Sequence, residues 1–343
     1  AIVLRADCGR PGEATGVSTP DHAVPKVSVV VMTYNHRRYI EQALDSVLSQ
    51  RTTFPWELLI SEDCSTDGTR EIVSDYQRRH PQRIRLLLSE RNLRSNAVVA
   101  RGINAARGQY VAMLDGDDYW IRDDKLQRQA DFLDAHPDCT MCFHNARVEY
   151  EDGSRPPWNW VPADQQPFAT LEDMWMGNFI PMCSAMYRNG VIGRVPDWYA
   201  EFDMSPTLIT DWQLHLLHAE RGLIGYLDEV MGVYRQHGGG LYSRFSEQEK
   251  QAMTLRFYRK MNDALAGRHQ SLVDVAVSRY FVEWAEEYAA RGERERGREC
   301  LRTCLQGKPI NKYVSPRRLL AAWARLWLPA MLVGGRRGQV AAP

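Results

Sequence analysis

Three carboxylates crowd into four residues at Asp115-Gly116-Asp117-Asp118. Packed so densely behind the apolar run Tyr110-Val-Ala-Met-Leu, they repel one another unless a cation neutralises them. A divalent ion carrying a diphosphate is a natural occupant, because Mg²⁺ and Mn²⁺ take one or two carboxylates plus phosphate oxygens. Gly116 lets the chain turn sharply and a ligand come close. The bland alternative is a solvated acidic turn. The preceding buried run decides for chemistry.

The elements around this cluster tell where it must sit. Val27 to Met32 is a β-branched run of the kind buried on both faces of a sheet. From Arg38 to Gln50, apolar residues at Ile40, Ala43, Leu44, Val47 and Leu48 form one helical stripe. Trp56–Ile60, Ile84–Leu88 and Tyr110–Leu114 read as further strands. Helices open at Ser65-Thr-Asp67-Gly-Thr, where Asp67 suits an N-cap, and run over Asn96–Ala106 and Gln127–His136. Gly108 reads as a left-handed cap on the second of these. Thr140–Tyr150 is another strand. Such alternation with short connections predicts an α/β fold, a mostly parallel sheet flanked by helices. Ligands then bind at the carboxyl ends of the strands. Those ends read Thr33-Tyr34-Asn35, Ser61-Glu62-Asp63 and Asp115-Gly-Asp-Asp, so the topology brings all three to one edge.

Beyond Tyr150 the pattern loosens. Arg155–Phe168 reads as a long loop, followed by a helix (Leu171–Met176), a strand (Ser184–Arg188), a helix (Leu208–Glu220) and a strand ending in Tyr234-Arg-Gln-His. From Glu247 onward everything reads helical, with Gly292-Glu-Arg-Glu-Arg-Gly-Arg-Glu as a solvated charged stretch.

Bulk properties exclude several classes. The chain has 43 basic and 43 acidic residues, so no global excess argues for nucleic acid. Seven cysteines, an odd number, do not make a disulfide framework. Cys139 and Cys142, like Cys300 and Cys304, read as small buried or half-buried thiols in a reducing compartment. The opening 25 residues read as a loose leader without secretory character, and no run is long and apolar enough to span a bilayer. The expected location is cytoplasmic.

In order and spacing, Val29-Val-Val-Met-Thr-Tyr-Asn, Glu62-Asp-Cys-Ser-Thr-Asp-Gly-Thr and Asp115-Gly-Asp-Asp resemble the motifs of family-2 glycosyltransferases. The resemblance covers residues 26–240, and it implies the Rossmann-like GT-A fold. It splits the catalytic domain into a nucleotide-binding half (26–150) and an acceptor half (151–240), ahead of a helical region (241–343). It implies an inverting, metal-dependent transfer from a nucleoside-diphosphate sugar, with a UDP-sugar as the expected donor. The acceptor would be a hydroxyl on a sugar, a lipid-linked molecule or another carrier, in cell-surface polysaccharide or glycolipid synthesis.

By the same resemblance, Thr33, Tyr34 and Asn35 line the nucleotide pocket, although Tyr34 could equally pack in the core. Asp63 meets the base edge, with Glu62 beside it. Asn92 and Arg101 reach base and phosphates. Asp115 with Gly116 takes the ribose, and Asp117 and His237 hold the Mn²⁺ or Mg²⁺. Asp118 is either sugar-facing or one layer behind. Asp211 is the catalytic base. Thr210 stands where the family has a Glu, so a helper that could tune that base is missing. His215 and His218 lie on the same helix and read as packing or surface residues. Trp158, Trp160, Trp175 and Trp198 could stack on sugar rings or simply pack.

Two rivals stay open. One is a phosphatase with an aspartyl nucleophile, which wants Thr or Val where Tyr119 stands. The other is a sugar-binding module without catalysis, which should have lost Asp117, Asp211 or His237. A nucleotidyltransferase lacks its Gly-rich, Arg-containing loop. From Cys300 to Pro343 the chain holds eight cations (Arg302, Lys308, Lys312, Arg317, Arg318, Arg325, Arg336, Arg337) and no acid. Around Leu319–Val333 this suits either a helix lying on the inner face of the plasma membrane or a packed terminal helix. Arg325 and Pro329 argue against a span.

Overall fold

The computed structural model describes residues 24–201, 211–239 and 245–328. Most of the expected leader, residue Thr210, Gly240 of the glycine run, and Pro329, Arg336 and Arg337 lie outside them.

The first half alternates as the apolar runs require: β1 (Val27–Thr33), α1 (Ile40–Leu48), β2 (Trp56–Glu62), α2 (Thr69–Arg79), β3 (Ile84–Leu88), α3 (Ala97–Ala105) and β4 (Tyr110–Asp115). Then follow β5 (Tyr119–Trp120), α4 (Lys125–Ala135), β6 (Cys139–Tyr150), β7 (Trp158–Asn159), β8 (Phe168–Ala169) and α5 (Leu171–Met176). Next come β9 (Met186–Arg188), α6 (Asp197–Ala200), α7 (Asp211–Ala219) and β10 (Leu223–Gln236). Four helices close the described chain: α8 (Glu247–Ala264), α9 (Gln270–Arg291), α10 (Arg294–Gln306) and α11 (Pro316–Trp327).

One sheet carries the order β3-β2-β1-β4-β9-β6-β10-β5. Its main strands are parallel, and β9 runs antiparallel between β4 and β6. Alternate residues of β1 explain why it is apolar throughout. Val27, Val29 and Val31 pack with Ile40, Leu44 and Val47 of α1, while Val30 and Met32 pack with Val98 and Val99 of α3. Helices therefore cover both faces, as a fully buried parallel strand demands. Register aligns the strand ends: Thr33 is opposite Glu62, and Met32 is opposite Asp115.

Several local expectations are corrected. Gly108 does not cap α3, because the helix ends at Ala105 and Ala106 is extended (φ −67°, ψ 135°). Its lack of a side chain serves packing, since a Cβ there would lie 2.5 Å from the Ser28 nitrogen. Ser184 belongs to a 3₁₀ turn, Met182–Ser184, so the strand starts at Met186. The Pro- and Trp-rich loop contains β7, which pairs with β6. The N-cap of α2 is Gly68 rather than Asp67, whose Oδ1 instead accepts from the Thr69 N–H and hydroxyl. The charged Gly292 stretch is helical and mostly solvent-facing, as expected. Gly292 ends α9 at φ 80°, and α10 begins two residues later.

The helices after Glu247 extend the main core before forming their own. Phe257 stacks on Trp212 with ring centroids 4.3 Å apart, and the Tyr258 hydroxyl donates to the Trp175 carbonyl at 2.6 Å. Trp175 is thus a packing residue, fully buried. Farther along, Val282, Ala285, Leu301, Cys304, Val314, Ala322 and Leu326 make a small separate cluster. Cys139, Cys142 and Cys304 are buried free thiols and Cys300 is half-buried. Among the described residues no helix is long and apolar enough to cross a membrane.

Candidate active site

At the carboxyl edge of the sheet, the acid cluster forms the floor of the candidate site. β4 delivers Asp115, and the chain turns at Gly116, whose N–H donates to the Met32 carbonyl at 2.8 Å. A Cβ on Gly116 would lie 2.8 Å from both His36 Nδ1 and Thr33 Oγ1, so only glycine fits between the ends of β1 and β4. Asp117 then meets two imidazoles. His237 Nε2 lies 3.0 Å from its Oδ2, and His36 Nε2 lies 3.6 Å away. Arg235, two residues before His237, locks the turn. Its guanidinium donates to the Asp117 carbonyl at 2.7 Å and its backbone N–H to Asp118 Oδ1 at 2.9 Å.

The electrostatics follow from crowding. Burial, then the charges of Asp117 and Asp211, raise the Asp115 carboxyl well above the usual range. Burial, then Asp117 and Asp115, do the same to Asp118. Burial opposes ionisation of Asp117 too, but His36 and His237 outweigh it and hold its carboxyl below the ordinary value. Carboxylates crowded and buried in this way favour a positively charged occupant. The Tyr234 phenol is pushed far up, first by burial and then by Asp118, Asp117, Asp115 and Asp211 together. All four acids therefore lie within electrostatic reach of the Tyr234 hydroxyl.

Asp211 opens α7 near enough to Asp115 to raise its pKa. Its Oδ1 accepts from the Trp212 N–H at 2.8 Å and its Oδ2 from Asn178 Nδ2 at 3.0 Å. Burial raises its carboxyl pKa, and those two donors oppose the rise. His215 and His218, farther along α7, are packing residues. His215 Nδ1 pairs with the Tyr187 hydroxyl at 2.9 Å, His218 Nδ1 pairs with the Leu214 carbonyl at 2.9 Å, and burial lowers their pKa values to about 3 and about 4.

On the β2 side, the predicted nucleotide residues divide into exposed and internal sets. Tyr34 is 40% exposed at the end of β1, which excludes the core-packing alternative. Asn35 sits at φ 56°, its N–H bonded to Ser65 Oγ and its Oδ1 accepting from Thr66 N. Asp63 accepts from Ser89 Oγ at 2.9 Å and from Leu93 N at 3.0 Å, tying down the loop that carries Asn92. Asn92 Oδ1 accepts from Arg94 N at 2.8 Å. Arg101 donates to Ser61 Oγ, Ser89 Oγ and the Glu62 carbonyl. Thr33, Glu62 and Asp63 are internal: Thr33 is buried beside His36, Glu62, fully buried, is ion-paired with Arg70, and Asp63 is buried too. Asp118 lies one layer behind the floor, 1% exposed, with Oδ2 unpartnered.

Among the described residues, no group of three or more His, Cys, Asp and Glu is arranged to hold a metal unaided. The Asp117–His237 pair offers one carboxylate and one imidazole, a donor set that Mn²⁺ or Mg²⁺ accepts when phosphate oxygens complete the shell. Sequence reasoning missed His36, Asn178 and Arg235. Arg235 lay inside the Tyr234-Arg-Gln-His run, whereas nothing in the sequence distinguished Asn178.

The Glycosyl transferase family 2 model matches residues 28–195. An uncharacterized protein of Mycobacterium tuberculosis is 36% identical over 256 residues, 73% of this chain and 68% of that one. An uncharacterized glycosyltransferase of Nostoc is 30% identical over 239 residues, 65% of this chain and 70% of that one. Among solved structures, Staphylococcus aureus TarS 1–349 in complex with UDP-GlcNAc aligns at a TM-score of 0.57 and 20% identity, covering 88% of each chain. This chain spans 53% of a longer TarS chain. The mannosyltransferase PcManGT of Pyrobaculum calidifontis, in complex with GDP-Man and Mn²⁺, aligns at 0.52 and 17% identity, covering 90% of this chain and 89% of that one. At these identities the two structures speak for the fold alone.

Proposed function

This chain belongs to glycosyltransferase family 2, and from that premise we propose that this site moves a sugar from a nucleoside-diphosphate sugar to an acceptor hydroxyl with inversion. A UDP-sugar is the proposed donor, and cell-surface polysaccharide or glycolipid synthesis is the proposed setting. The observation that carries this reading is the buried acid cluster at the carboxyl end of β4, where Asp117 meets His237 at 3.0 Å and Asp211 lies close enough to Asp115 to raise its pKa.

Asp117 and His237 are the residues that would hold a divalent ion, Mn²⁺ or Mg²⁺. Such an ion, when bound, stabilises the charge growing on the leaving diphosphate. The protein's own groups do the rest. Tyr34 offers an exposed ring to the base, and Asp63, Asn92 and Arg101 shape the loop beside it. Asp115 is placed to accept from ribose hydroxyls. Arg235 holds the Asp117–Asp118 turn in place. Asp211 takes the proton from the acceptor hydroxyl as that oxygen attacks the anomeric carbon from the face opposite the diphosphate. One carboxylate base on the far side implies direct displacement and inversion, the same stereochemical logic as in single-displacement glycosidases.

Slow hydrolysis of the donor tests this without knowledge of the acceptor. Proton NMR during turnover of an α-linked nucleotide sugar should show the β-anomer released first. Release of the α-anomer would overturn the single-base reading.

A further inference from the structure

Helix α11 is apolar on two opposite sides. Ser315 caps it, its Oγ accepting from the Arg318 N–H at 3.2 Å, and Pro316 occupies the first turn. The inner side packs as a core helix should. Ala322 and Leu326 are fully buried among Val282, Ala285 and Leu301, and Leu326 fills the space left by Gly297, where a Cβ would lie 2.5 Å away. The other side carries Leu320, Trp323, Ala324 and Trp327, at the i, i+3, i+4, i+7 spacing of a second apolar stripe. Leu320 is 66% exposed and Trp323 41%. The indoles of Trp323 and Trp327 stack with centroids 5.9 Å apart, Trp327 resting partly on the inner cluster beneath Arg298 and Arg302. Leu320 and Trp323 are the exposed part of the stripe.

The rim of this stripe is cationic. Arg302 lies over the Trp327 ring at 5.9 Å, and Arg317 is exposed on α11. No carboxylate lies within ion-pair distance of these two among the described residues. The neighbouring cations are already engaged: Arg298 pairs with Glu295 and holds the Leu326 carbonyl, and Arg318 pairs with Glu286. A surface of stacked indoles and leucine rimmed by unpaired arginines matches the boundary of an anionic membrane, where Trp sits at headgroup depth and cations meet lipid phosphates. A second copy fits poorly, because a two-fold contact through the same stripe would set Arg317 and Arg302 against their own counterparts.

We infer that the Leu320–Trp323–Trp327 face of α11, with Arg302 and Arg317, seats the protein on an anionic lipid surface. The contact is peripheral, since the inner side of the same helix stays packed on α9 and α10.

Co-sedimentation of the full chain tests this. Vesicles of phosphatidylcholine alone are compared with equal parts phosphatidylcholine and phosphatidylglycerol. The protein should pellet with the mixed vesicles only, and less at high salt. Neutralising an arginine, as in Arg302→Gln or Arg317→Gln, should weaken partition roughly fivefold each. The pair Leu320→Ser and Trp323→Ser should abolish binding while leaving donor hydrolysis and circular dichroism unchanged. Failure to pellet, equal pelleting with neutral vesicles, or undiminished binding by the Leu320/Trp323 variant would overturn the inference. So would a dimer in sedimentation equilibrium that Trp323→Ser dissolves, since the face would then belong to a second copy.

Discussion

Asn178 Nδ2 donates to Asp211 Oδ2 at 3.0 Å, and the Ile180 N–H donates to Asn178 Oδ1 at 3.2 Å. The second bond fixes which end of the amide faces the carboxylate, so Asn178 presents N–H and not oxygen to the proposed base. In this fold the amide supplies the help that the missing Glu at position 210 does not. It stabilises the ionised form against the burial that raises the pKa.

The sign of the consequence is fixed. A base works only when deprotonated, so activity should rise with pH through the raised pKa of Asp211. Asn178→Ala removes a donor to the charged form and should move that limb upward by about one to two pH units, as loss of a hydrogen bond to an ionised group implies. The pH profile of kcat for donor hydrolysis checks it, with activity recovering well above the limb. An unmoved limb would make Asn178 a packing residue only.

Asp211→Asn keeps the shape and loses the basicity. It should lower kcat by roughly 10²–10⁴, with donor affinity by calorimetry unchanged. A collapse of donor binding instead would assign Asp211 to the donor pocket.

His237→Ala leaves Asp117 with His36 alone. The concentration of Mn²⁺ needed for half-maximal donor turnover should rise at least about tenfold, the usual scale for disturbing a ligand set. An unchanged metal requirement would remove His237 from the site.

Gly108→Ala tests the packing reading of a residue whose sequence suggested a cap. Its Cβ would meet the Ser28 nitrogen at 2.5 Å and the Val27 carbonyl carbon at 2.8 Å, both rigid backbone. Denaturant unfolding should show a loss of about 1–3 kcal/mol. A neutral result would mean that β1 and β4 can move apart at this edge.

The sheet's parallel half was legible because its strands are continuous β-branched runs and its helices carry single apolar stripes. Position along those strands was enough to bring Thr33, Glu62 and Asp115 to one edge, whereas Asp211, at the start of α7, was named only by the family resemblance. Of the antiparallel additions, only β9 was legible, inside the expected Ser184–Arg188 strand, since β5, β7 and β8 are two residues long and show no period. Nor was the local support of the site. His36 and Asn178 act through single contacts made across the fold, which leave no spacing in the sequence. Gly108 misled for a related reason: a glycine required by a neighbouring strand looks the same, in one dimension, as a glycine required by its own φ.

The most direct test of the account is release of nucleoside diphosphate from a panel of UDP-, GDP- and dTDP-sugars with Mn²⁺ or Mg²⁺, for the parent chain and Asp117→Ala. The account predicts slow release of the diphosphate from one or a few donors, UDP-sugars first among them. That release should vanish with a chelator and in the folded variant. Metal-dependent turnover by Asp117→Ala near the parent rate would contradict the site. Phosphate released from a simple monoester by the parent, with no donor turned over, would favour the phosphatase reading instead.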